Sequence, residues 1–78
     1  MKYRLLCEMI PEEGGGYSAV AVNLPGCGSQ GETWNEALEN FEEAAIAAIE
    51  SYIADEADIP WVDVPDPRGL QSVVIYLN

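Results

Sequence analysis

Apolar and polar positions alternate from the start of the chain. Tyr3, Leu5, Cys7 and Met9 fall on one face at period two, with Lys2, Arg4 and Glu8 on the other. That period predicts a strand over Lys2 to Ile10. Leu6 and Ile10 interrupt the polar face, so partial cover is expected there too. Pro11-Glu12-Glu13-Gly14-Gly15-Gly16 is a turn signal. Tyr17 to Val22 then reads as a returning strand paired antiparallel with the first. Tyr17, Ala19 and Ala21 face one way, and Ser18, Val20 and Val22 the other. Pro25 fixes its own φ and Gly26 permits a positive one, which suits a tight turn after Asn23. Cys27 to Gln30 fits a short third strand, and Gly31 reads as a hinge into the next element.

Beyond Gly31 the period changes. Ala37, Leu38, Phe41, Ala44, Ala45, Ala48, Ile49 and Tyr52 recur at steps of three and four. This stripe predicts an amphipathic helix from Trp34 to about Ala54. Glu36, Glu39, Asn40, Glu43, Glu50 and Ser51 mark its polar side. Ile46, Ala47 and Ile53 broaden the stripe, and Glu42 lies at its margin. Thr33 and Glu36 have capping-box spacing at the start. Asp55, Glu56 and Asp58 oppose the helix dipole and predict its end. Pro60, Pro65 and Pro67 keep the following segment extended. Leu70 to Leu77 is a final strand, apolar on both faces through Val73, Ile75 and Leu77 and through Val74 and Tyr76. It is expected to be central, or to meet another subunit with its outer face. The order is β-β-β-α-β. The fold class is therefore α+β, a small antiparallel sheet with one long helix on one face.

Length and charge narrow the possibilities. At 78 residues, with 49% of them hydrophobic, the chain is expected to be one domain, residues 1–78, with a thin core. Thin cores often recruit a second subunit, so a homodimer or higher oligomer is expected. Fourteen acids against three bases give a net charge of −11. Nucleic acids and anionic membranes are poor partners for such a surface, whereas a basic protein would be steered to it. No apolar run approaches the length of a membrane span, and no signal-peptide pattern opens the chain. With Cys7 and Cys27 read as free thiols, a cytoplasmic location is expected.

Candidate chemistry is sparse. The chain has no histidine, so neither a general base of that type nor a Cys/His zinc site is available. Cys27 beside Gly28 has no visible activating partner and reads as a packed turn thiol. The glycine-rich loop joins two strands rather than opening a helix, and no Lys flanks it, so it is not a phosphate cradle. Among the carboxylates only Glu8 lies well inside a strand, which argues against an acidic metal-dependent hydrolase. The expected enzyme status is none, with no cofactor and no metal. Tyr17, Trp34, Phe41, Tyr52 and Tyr76 read as packing residues. Trp61, between prolines, reads as a staple onto the domain or an interface anchor.

An ordered string of residues carries more information than composition does: Tyr17 after glycines, Leu24-Pro25-Gly26-Cys27, Gln30-Gly31-Glu32-Thr33, then Glu36-Ala37. This string resembles the N-terminal domain of the HicB-like antitoxins. The resemblance covers nearly the whole chain from Tyr3 to the final strand. It implies a degenerate ribonuclease-H-like fold whose role is to bind and mask a small basic HicA-type toxin that cleaves mRNA. Tyr17, Pro25, Gly26, Gly31, Thr33 and Glu36 are then folding positions. Glu39 and Glu43 on the polar helix side, with Trp61, are the candidate partner-binding residues. Many members continue into a DNA-binding segment. The sequence ending at Asn78 has no basic tail, so promoter binding is not expected of it. Two alternatives stay open. One is a self-associating relative without a toxin, marked by the lack of a small basic neighbouring reading frame. The other is the acidic hydrolase, marked by metal-dependent activity.

Overall fold

The computed structural model describes every residue from Met1 to Asn78. Its elements are β1 (Lys2–Pro11), β2 (Tyr17–Ala21), β3 (Gly28–Gly31), α1 (Trp34–Ala54) and β4 (Gln71–Tyr76). The strands form one sheet in the order β3-β2-β1-β4, and every neighbouring pair is antiparallel. The helix occupies the bounds that its periodicity predicts. Strand β4 is not central: it pairs with β1 alone and forms one edge of the sheet. Its Ile75 faces the core, while Val74 and Tyr76 lie on the open face at 36% and 74% exposure. Apolar character on both faces therefore reflects an uncovered face here, not a strand between two neighbours.

The core lies between one face of the sheet and α1. Leu5, Cys7, Ala19, Ala21 and Ile75 from the strands meet Ala37, Phe41, Ala45 and Ile49, which recur every four residues along the helix. Burial of each large apolar side chain stabilises the fold by about 1.5–3 kcal/mol. Leu24 and Cys27, at the two ends of the Leu-Pro-Gly-Cys turn, are buried with them. The opposite sheet face has no helix over it. Leu6 is half-buried there, whereas Ile10 and Val20 are exposed.

Gly31 works by close approach and not as a hinge. A Cβ at this position would lie 2.5 Å from the Ala37 nitrogen and 2.8 Å from the Glu36 carbonyl carbon. Absence of a side chain lets the end of β3 press against the first turn of α1. Gly26 is different: its φ of +82° is what the turn demands.

Both helix ends are closed by hydrogen bonds. Thr33 is extended, and its Oγ1 accepts from the Glu36 N–H at 3.0 Å. The Glu36 carboxylate accepts from the Glu32 N–H at 3.0 Å, one residue before the partner a reciprocal capping box would use. At the far end the Glu56 N–H donates to the Ile53 carbonyl and the Ala57 N–H to the Tyr52 carbonyl. This is a Schellman arrangement with Glu56 at φ 54°, a position that favours glycine.

Candidate functional site

Glu36, Glu39, Glu43 and Glu50 are exposed and sit opposite the buried stripe of α1. Their spacing of three, four and seven residues aligns them along the outward side of the helix. The helix carries no Lys or Arg. Like charges four residues apart, as at Glu39 and Glu43, weaken a helix by a few tenths of a kcal/mol. This face thus holds a charge that helix stability does not favour.

Bases elsewhere do not neutralise it. Arg68 pairs with Asp66 at 2.8 Å within the segment after α1. That contact lowers the Asp66 pKa and raises that of Arg68. Both groups are exposed, so the pair contributes little to stability. Arg4 donates from Nε to the Ser72 hydroxyl at 2.8 Å, on the open face of the sheet.

Trp61 occupies a separate place. Its ring stacks on Tyr3 at 6.3 Å between centroids, with 21° between planes. It still exposes 42% of its surface. The staple reading holds for this side chain, which also keeps an exposed apolar surface. Trp61 lies by the beginning of β1, where Tyr3 pairs with Ile75 near the end of β4. Glu39 instead flanks a groove lined by Leu38, Glu42 and the beginning of β4. The candidate residues therefore form two separate patches and not one.

Asn23 holds the Trp61 segment in place, a role that sequence reading missed. Its side-chain amide accepts from the Leu6 N–H at 2.9 Å and donates to the Arg4 carbonyl at 3.0 Å. It thereby continues the β1 ladder where β2 has ended. Its own carbonyl accepts from the Val62 N–H at 2.9 Å. The available signal was an amide residue entering the Leu-Pro-Gly turn, a residue type able to mimic backbone pairing.

Catalytic groups do not gather. Cys7 and Cys27 are buried free thiols. Burial pushes Cys7 up to about 11 and raises Cys27 as well, the opposite of what a nucleophile needs. No three Asp, Glu or Cys side chains come together as a metal site. Beside the glycine loop, a shallow groove is lined by Glu12, Glu32 and Glu36, a setting hostile to phosphate. Tyr17 packs edge-on against Trp34 at 5.5 Å, closing the loop over the helix start.

Comparison with known proteins identifies the family and the fold. Residues 3–73 match the family model described as HicB_like antitoxin of bacterial toxin-antitoxin system. A UPF0150 protein of Synechocystis sp. is 44% identical over 62 residues, covering 80% of this chain and 76% of the relative. Antitoxin HicB 1 of Photorhabdus laumondii is 37% identical in an alignment covering all of this chain and 53% of the relative. The chain thus spans about half the length of that antitoxin. The fold is shared with the N-terminal domain of Burkholderia pseudomallei antitoxin HicB, at a TM-score of 0.59 and 20% identity, covering 100% of this chain and 99% of that one. By sequence and by fold, the chain belongs to the HicB-like antitoxin family of bacterial toxin-antitoxin systems.

Proposed function

We propose that this protein binds a small basic HicA-type toxin and masks the mRNA-cleaving site of that toxin, with residues 1–78 acting as one binding unit. The observation that carries the proposal is the uncompensated acidic side of α1 in a chain of net charge −11. Glu39 and Glu43 attract and orient the basic partner, since complementary charge accelerates encounter. Trp61, anchored on Tyr3 yet exposed, supplies apolar contact at a second point. The chain performs no chemistry of its own and binds no nucleic acid directly. It acts in the cytoplasm as a homodimer or higher homo-oligomer. Co-expression with the neighbouring small basic gene product tests this. Growth should be restored and a complex recovered, whereas persistent arrest without a complex refutes the reading.

A further inference from the structure

We infer that a second copy of this chain docks on the outer edge of β4, joining two sheets through antiparallel β4–β4 pairing. The inference rests on the homodimer proposed above and is independent of toxin binding. Leu77 exchanges backbone bonds with Met1. Alternation along the strand then directs the N–H and C=O groups of Ser72, Val74 and Tyr76 outward. Natural edge strands are usually blunted by Lys, Pro, a bulge or a cover. Strand β4, Gln71-Ser72-Val73-Val74-Ile75-Tyr76, carries neither charge nor proline and pairs with β1 in unbroken register. The other edge, β3, is short, has glycine at both ends, and has its Gln30 carbonyl engaged by Asn40 at 2.8 Å.

Self-complementarity selects the occupant. Like molecules of net charge −11 repel, so a symmetric contact must be held by backbone pairing along a strand that is itself uncharged. On the open face Lys2 and Arg4 lie directly beside Tyr76 and Val74. Two of the three bases therefore border this edge on the open face, while Glu39 and Glu42 lie beside the beginning of β4 and Glu50 beside Tyr76 on the helix side. Antiparallel pairing is two-fold by construction. With Val74 opposite its own copy on the axis, Ser72 faces Tyr76 and Val73 faces Ile75. Every outward group of Ser72, Val74 and Tyr76 then finds a partner.

Sedimentation of the full chain across concentration and salt is the test. A dimer is expected, tightening as salt screens the acidic repulsion. Val74→Pro removes an outward N–H without touching the β1 ladder, and Val74→Lys places a charge on the axis. Each should weaken the dimer by at least about tenfold while the helical circular-dichroism signal persists. Val74→Cys should form a disulfide-linked dimer on mild oxidation, because Cα atoms paired on the axis lie within disulfide reach. Should the proline variant fail to fold, the cysteine variant decides. A monomer at all concentrations overturns self-association. A dimer insensitive to Val74→Lys, or a Val74→Cys chain that never cross-links, overturns this edge as its site. None of these outcomes depends on a toxin.

Discussion

Trp61 is stacked on Tyr3, with ring centroids 6.3 Å apart, although 57 residues of sequence lie between them. The contact pins the proline-containing segment after α1 to the first strand. Trp61→Ala should lower unfolding stability by about 1–2 kcal/mol, from lost stacking and lost apolar burial. Trp61→Phe should recover part of it. Urea denaturation reads both, and limited proteolysis should cut between Ala57 and Leu70 faster in the alanine variant. Equal midpoints for Trp61→Ala and the parent would show that the stack holds nothing.

The turn into the helix provides a second comparison. Thr33→Ala removes the acceptor of the Glu36 N–H and should cost about 0.5–2 kcal/mol. Gly31→Ala drives a methyl group into the Ala37 backbone and should cost about 1–3 kcal/mol. Were Gly31 a hinge, alanine would be nearly neutral. Denaturation midpoints of the two variants separate these cases.

Glu56→Gly should stabilise the protein by about 1 kcal/mol. The substitution relieves a left-handed backbone at φ 54° and removes an acid from the negative end of α1. A fall in melting temperature would reject the Schellman assignment.

These end effects differ in how plainly the sequence announces them. The step from period two to steps of three and four places α1, and Thr33 with Glu36 marks its start. Proline and glycine between periodic runs place the hairpin. The edge position of β4 was not legible, because a strand apolar on both faces looks the same whether a neighbour, a second subunit or water lies beyond it. Asn23 was hidden for another reason: its side chain imitates strand backbone, and no periodicity records that. Glu39 and Glu43 could be placed on the outward helix side from spacing alone. The Tyr3–Trp61 contact depends on how the chain returns to β1, which local pattern does not encode.

Cys7 links stability to alkaline pH. Burial raises its folded-state pKa from 9.0 to about 11, so the folded protein holds the thiol proton more tightly than the unfolded chain. The associated stability is fully present below pH 9 and is lost as pH rises through about 11. Urea unfolding at stepped pH should show that decline, and Cys7→Ala should make it shallower. An identical slope in the variant would contradict the assignment.

Charge on α1 should govern association. Glu39→Lys with Glu43→Lys should slow complex formation with the toxin about tenfold and change dissociation much less. Salt should weaken this complex while it strengthens the homodimer. Stopped-flow mixing at several ionic strengths separates the two signs, and a common sign for both would break the division between an acidic helix face and an uncharged edge strand.

Masking itself is tested most directly by titrating this protein into an RNA-cleavage reaction run by a purified small basic HicA-type toxin, the partner proposed above. Cleavage should fall linearly and stop near one chain per toxin, with the complex recovered intact by gel filtration. Undiminished cleavage at a large molar excess of folded protein would contradict the account.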